Sequence, residues 1–169
     1  VGCNAMSYKH ISEAIGIRKA SIHHHFPKKE NLIDALLNRC QISYGSNYKR
    51  IVEGFGSAPE KLRQLAGVFE DGLRKRQLCL VGTMSSDLNT LQGSSRIILE
   101  ATIKNTVRIY ATAFKQGREE GSLSFAGTDE EAANAFFSFL IGTQITARVH
   151  GGEKSFRSAT EVVIASLEK

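Results

Sequence analysis

Two short helical runs parted by a single glycine, the second cut off by a Phe-Pro step, constrain this chain more than any other feature it has. The first run, Tyr8 to Ile15, follows Ser7, whose hydroxyl is suited to cap the opening N–H groups of a helix. Its apolar residues Tyr8, Ile11, Ala14 and Ile15 recur at the spacing of one helical face. Gly16 ends it, because glycine enters left-handed backbone without steric cost. A second helix is expected from Arg18 to about His25, where Phe26-Pro27 stops it, since proline disfavours helical backbone in the residue before it. Ile17 and Ile22 are expected to point inward and set the angle between the two helices.

The remainder also reads as helix, with no segment that alternates cleanly enough for a strand. Pro27 is placed to enter the next helix at its first turn. That helix, Lys28 to about Phe55, carries Leu32, Ile33, Leu36, Leu37, Cys40 and Tyr44 on one side and reads as a connector between two modules. Four more stretches and a terminal one follow: Pro59–Arg76, Val81–Leu91, Arg96–Glu120, Thr128–His150 and Glu153–Lys169. Thr128-Asp129-Glu130-Glu131 has the form of a capping box. The fold class is therefore all-α, with an N-terminal helix-turn-helix domain over residues 1–48 and a second helical domain over residues 49–169.

Charge separates the same two parts. Residues 1–50 hold eight Lys and Arg against three Asp and Glu, whereas the other 119 residues hold fourteen of each. All of the net charge of +5, and four of the five histidines, thus sit in the first third, which points to a polyanionic partner for that part alone. No apolar run approaches the roughly 20 residues of a membrane span, and no signal-peptide pattern is present, so the chain reads as cytoplasmic. Cys3, Cys40 and Cys79 are odd in number and widely spaced, and read as reduced thiols. His23, His24 and His25 point about 100° apart on a helix and cannot hold one metal ion from a single face. No metal or other cofactor is expected, and His25 is expected to pack in the domain core.

A helix-turn-helix places the N-terminal end of its second helix in the major groove, which demands small and basic residues there. Arg18, Lys19, Ala20 and Ser21 meet that demand, with His23 and His24 behind them. Arg18 and Lys19 are the candidates for base edges; Ser21, His23 and His24 would divide between bases and phosphates. Ser7 and Tyr8 open the preceding helix, where N–H groups and the helix dipole favour phosphate. Lys28 and Lys29 complete the candidate DNA-binding set.

The run from Gly2 to Leu32 resembles the DNA-binding domain of TetR-family regulators, at Gly2, Ser7, Ile11, Ala14, Gly16, Ile17, Ser21, Ile22, His25, Phe26, Lys29 and Leu32. His23 stands where that family usually has a phosphate-contacting tyrosine. Lys29 resembles the family's phosphate-contacting lysine. The family pattern opens with a helix ahead of Gly2, so the resemblance implies a further helix there that packs with these two. It also implies a ligand-responsive repressor that binds a palindromic operator on double-stranded DNA as a homodimer and is released by a small-molecule effector.

Two of the later features fit that expectation. Thr128–His150 is apolar nearly all round at its centre and must bury more than one face. With the final helix it offers a dimer interface through Phe136, Leu140, Thr143, Ala147, Phe156, Ala159, Val163 and Leu167. The resemblance implies an effector site between the modules, for which the candidates are Cys79, Thr83, Met84, Asp87, Tyr110, Phe114, Phe137 and Gln144. A small helical enzyme is the rival class, but no nucleophile–base pair, carboxylate cluster or phosphate loop is present, so no catalytic residue is assigned. A DNA-binding dimer without a ligand is the other alternative.

Overall fold

The structure, a computed structural model, describes residues 7–91 and 93–169. Its helices are α1 (Tyr8–Ile15), α2 (Lys19–His25), α3 (Lys29–Glu53), α4 (Ala58–Arg74), α5 (Leu80–Ser86), α6 (Gly93–Glu120), α7 (Asp129–Val149) and α8 (Gly152–Leu167). A single turn of 3-10 helix, Leu88–Thr90, lies between α5 and α6. The expected helix over Val81–Leu91 is thus interrupted, because the Asp87 carbonyl accepts both the N–H (2.9 Å) and the hydroxyl (2.7 Å) of Thr90. Pro27 lies ahead of α3 and not in its first turn; the backbone N–H of Lys28 is held by Asn31 Oδ1 at 3.0 Å.

The long helices α3 and α6 pack along one another, α6 also packs against α7, and α4 and α7 both meet α8. Their buried faces form one core that runs from Ile33 and Leu37 on α3, through Leu62, Leu65, Tyr110 and Phe114, to Phe156 and Ile164 on α8. The expected boundary at residues 48 and 49 falls within α3, which serves both ends of the molecule. Side-chain capping fixes the starts of α1, α4 and α7. Thr128 accepts from the N–H of Glu131 at 3.2 Å while Glu131 takes the N–H of Thr128 at 2.7 Å, the box read from the sequence. Ser57 and Glu60 open α4 in the same manner, and Glu120, from the end of α6, accepts the Ala58 N–H at 2.8 Å.

Two charged groups are partnered across helices. Lys61 is 5% exposed, and its ammonium donates to the Val52 carbonyl (2.9 Å) and to Gln116 Oε1 (2.6 Å), tying α4 to α3 and α6. The carboxylate of Asp34 on α3 accepts from the hydroxyls of Ser94 and Ser95, so the start of α6 is fastened beside the helix-turn-helix. The segment after α6 is closed by a bridge between Leu123 and Glu168, with Ser124 N–H donating to the Leu167 carbonyl at 2.7 Å.

Gly117 on α6 marks the tightest approach in the core. A methyl group there would lie 2.8 Å from the Ala58 Cβ and would run into the Leu123 side chain. We expect Gly117→Ala to lower stability by about 1–3 kcal/mol, as overpacked cores do, although alanine is the better helix former. Urea unfolding checks it; an unchanged or raised midpoint would show that α4 and the Leu123 segment can retreat.

Candidate nucleic-acid interface and effector cavity

α1 is capped by the Ser7 hydroxyl, which accepts the His10 N–H at 3.2 Å, and ends at Gly16 with φ 71°. The N–H groups of Gly16 and Ile17 both return to the Ser12 carbonyl, which turns the chain sharply into α2. Tyr8 fixes the angle between the two helices. Its ring is buried, its hydroxyl donates to the Phe26 carbonyl at 2.7 Å, and His23 packs edge-on against it with 4.5 Å between centroids. Ile22 is 4% exposed and packs inward as expected, but Ile17 is 45% exposed and does not. Its backbone completes the turn while its side chain stays at the surface. Tyr8, expected at phosphate, has its hydroxyl engaged inside the motif instead. His25, expected in the core, is exposed, with its ring edge-on to His24.

Arg18 occupies the N-cap position of α2 and Lys19 its first turn. Arg18, Lys19, Ala20, Ser21, His23, His24 and Lys28 are exposed, and Lys29 is half-buried at the start of α3. Acidic side chains are sparse around them. Between Ser7 and Asn31 there are only Glu13, beside Lys9 at 4.0 Å, and Glu30. The result is a basic ridge of short and flexible side chains on a rigid two-helix support, the shape and charge a major groove admits. Among the described residues no group of three or more His, Cys, Asp or Glu could hold a metal ion, and no helix is long and apolar enough to cross a membrane.

A second site lies in the body of the protein. A cavity opens between α3, α4, α6 and α7, and the space in it that a water centre can reach is about 40 Å³. Of the expected effector residues, Cys79, Phe137 and Gln144 line it. Tyr110 stands behind the wall, edge-on to both Tyr48 (5.1 Å) and Phe137 (5.6 Å). Its hydroxyl is fully buried beside that of Tyr48. Thr83, Met84, Asp87 and Phe114 do not reach the cavity. Thr83 donates to the Cys79 carbonyl, Met84 is core, Asp87 shapes the turn after α5, and Phe114 packs on Phe125 and Phe136.

Sequence reasoning missed the α3 wall: Cys40, Gln41, Tyr44, Gly45 and Tyr48. It also missed Thr102 and Thr106, which face the cavity from α6. The signal was there, since Tyr44 and Tyr48, like Thr102 and Thr106, recur at one helical turn on otherwise apolar faces. Gln144 is the organising polar group. Its amide donates to the Phe69 carbonyl at 2.8 Å and accepts from the Cys79 N–H at 2.7 Å, joining α7 to α4 and to the approach of α5.

The expected dimer residues divide in two. Phe136, Leu140, Ala147 and Phe156 are all buried within the chain's own core, so they cannot face a partner. Thr143, Ala159, Val163 and Leu167 are half-buried. The apolar surface on these helices is carried by Ile145, Val149 and Val162, the last two 90% and 69% exposed. A shallow groove between α7 and α8 adds Phe139, Ala159 and Val163.

With this geometry in view, comparison with known proteins is direct. The chain combines an N-terminal helix-turn-helix with a helical body that holds a cavity. Residues 1–36 match the family described as bacterial regulatory proteins, tetR family. The HTH-type transcriptional repressor NemR of Escherichia coli K12 is 22% identical over 157 residues, covering 88% of this chain and 76% of that protein. A TetR-family transcriptional regulator from Agrobacterium tumefaciens superposes with a TM-score of 0.92 at 25% identity, over 99% of this chain and 90% of that one. AibR, solved in complex with isovaleryl coenzyme A and operator DNA, superposes with a TM-score of 0.74 at 20% identity, covering 98% and 89%. The tetR-family match thus covers the helix-turn-helix, and the fold along the rest of the chain is the one these regulators share.

Both described cysteines are free. Burial pushes the Cys40 thiol up to about 11, with the nearby Cys79 adding to it, and Cys79 is raised by its own burial. A group held neutral in this way stabilises the fold fully below pH 9, its ordinary value, and that contribution is lost as pH rises towards 11. Alkylation of Cys40 in the folded protein is therefore expected to be slow at pH 8, where about one thiol in a thousand is ionised. Its rate should climb about tenfold per pH unit up to pH 10. Mass-spectrometric rates across that range check it, and fast labelling already at pH 8 would show an ionised thiol.

Proposed function

We propose that this protein is a ligand-responsive repressor that binds a palindromic operator as a homodimer and releases it when a small molecule enters the cavity. The observation that carries the reading is the exposed ridge of Arg18, Lys19, Ala20 and Ser21 at the N-terminal end of α2, with the cavity some turns away on α3. AibR, which shares the fold, has been captured with both an effector and operator DNA, and NemR is a repressor. Arg18 is suited to bidentate pairing with guanine, and Lys19, Ser21, His23, His24, Lys28 and Lys29 to phosphates and neighbouring bases. Ser7 contributes the capped N-terminus of α1.

Two subunits would meet through the exposed apolar strip of α7 and α8, built on Ile145, Val149 and Val162 with Phe139, Ala159 and Val163 between them. Dimerisation would set two recognition helices to successive major grooves, about 34 Å apart. The cavity is narrow enough that any molecule larger than a few waters must part its walls. Two of those walls are α3 and α6, and α6 is fastened to α3 beside the DNA-binding motif through Asp34. Ligand would therefore favour a dimer whose helices no longer match the groove spacing.

DNA binding to fragments upstream of the protein's own gene tests this at two salt concentrations. Arg18→Ala should cost about 1–3 kcal/mol, or roughly 5- to 150-fold, and relax sequence preference. Lys19→Ala should weaken binding and flatten the salt dependence by about one ion. The absence of binding to these fragments and to random duplex at low salt would overturn the reading. Sedimentation should find a dimer that Val162→Glu converts to monomer; a dimer unaffected by that change would move the interface elsewhere.

A further inference from the structure

The chemical class of the effector follows from what lines the cavity. Seventeen residues form its wall, and not one of them is Asp, Glu, Lys, Arg or His. An ion moved there from water would lose its hydration without gaining a counter-charge, a cost of several kcal/mol. Phosphates, carboxylates and ammonium groups are thereby excluded. The two cysteine thiols add no charge, since burial keeps both protonated.

What the wall offers instead is aromatic surface. Tyr44, Tyr48, Phe69 and Phe137 face the space, and Phe69 and Phe137 meet edge-on at 6.2 Å. Rings so arranged favour another ring among them, offset or edge-on. The polar groups are all neutral: Gln41 and the tyrosine hydroxyls on α3, Gln77, Gln144, and Thr102 and Thr106 on α6. Gln144 has its amide donor and its carbonyl committed to the backbone of α4 and Cys79. The hydroxyls of Thr102 and Thr106 donate to carbonyls of their own helix, at 2.7 and 2.9 Å, and so present lone pairs to the cavity. A guest with an O–H or N–H donor would find an acceptor there.

We propose that the effector is a small, uncharged aromatic molecule carrying a hydrogen-bond donor, held between the α3 tyrosines and Phe137 with its donor on the Thr102–Thr106 side. This rests on the reading of the cavity as the effector site. It sets the protein apart from its structural relative AibR, whose ligand is a coenzyme A thioester, because phosphates have no cation to meet here.

Three probes of like shape and different charge test the class in the full chain at pH 7: p-cresol, benzoate and benzylammonium. Calorimetry and thermal unfolding should show p-cresol binding at least about tenfold more tightly than either ion. Isovaleryl coenzyme A should not bind. Gln41→Glu, nearly isosteric and on the cavity wall, should admit benzylammonium while p-cresol binding persists. Val68→Trp, which fills the space, should abolish p-cresol binding; retention of its unfolding temperature would show that the loss is not one of folding. Equal or tighter binding of benzoate, benzylammonium or the thioester would overturn the proposal, as would p-cresol binding that Val68→Trp leaves unchanged. If no aromatic probe binds while operator binding is intact, the class is wrong and the regulator reading stands. If p-cresol binds and operator binding is absent, the class holds and the regulator reading fails.

Discussion

One buried side-chain amide holds the body of this protein in register. Gln144 is 2% exposed, and its two ends join the last turns of α4 to the chain entering α5, from a position midway along α7. Nothing else polar on α7 is buried. Without that amide the Cys79 N–H would lose its partner, at a cost of about 1–3 kcal/mol, and the Phe69 carbonyl would lose the bond it accepts besides that of its own helix. With it, α4, α7 and the approach to α5, three of the cavity's walls, are joined. The polar group that stabilises the fold and the wall that shapes the site are the same residue.

A similar economy governs the other end. Tyr8 closes the helix-turn-helix by reaching from α1 to the carbonyl of Phe26, after α2 has ended. Because this brace is internal, the surface of α2 is free of structural duties, and small and basic residues can occupy it without penalty to the fold. Lys61 and Asp34 do comparable work between the long helices, each a charged group fully engaged by neighbours on other elements. Surface ion pairs such as Arg63 with Glu161 and Glu168 add little by comparison, since exposed pairs contribute at most about 1 kcal/mol.

Local chemistry was legible and long-range chemistry was not. Ser7, Gly16 and the Thr128–Glu131 box act within a few residues of themselves, so the ends of α1 and the start of α7 could be read from the sequence directly. α6 begins earlier than the expected Arg96 because Ser94 and Ser95 are held by Asp34, some sixty residues away. The apolar girdle of α7 correctly announced a helix buried on several sides, but periodicity does not say against what. Phe136 and Leu140 went to the chain's own core, and the surface fell to Ile145 and Val149. For the cavity, Phe137, Cys79 and Gln144 were within reach of sequence, whereas the α3 tyrosines were hidden by treating that helix as a connector.

That helix is continuous from Lys29 to Glu53, and continuity gives it leverage. From Tyr44, at the cavity, to Lys29, beside the recognition helix, it spans fifteen residues, or about 22 Å of rigid rod. Tilting a rod of that length by about 9° carries its tip roughly 3.4 Å, the rise of one base pair. On the proposed reading, a guest that parts the cavity walls would tilt this rod, and the ruler that reads the swing out would be the step height of the double helix.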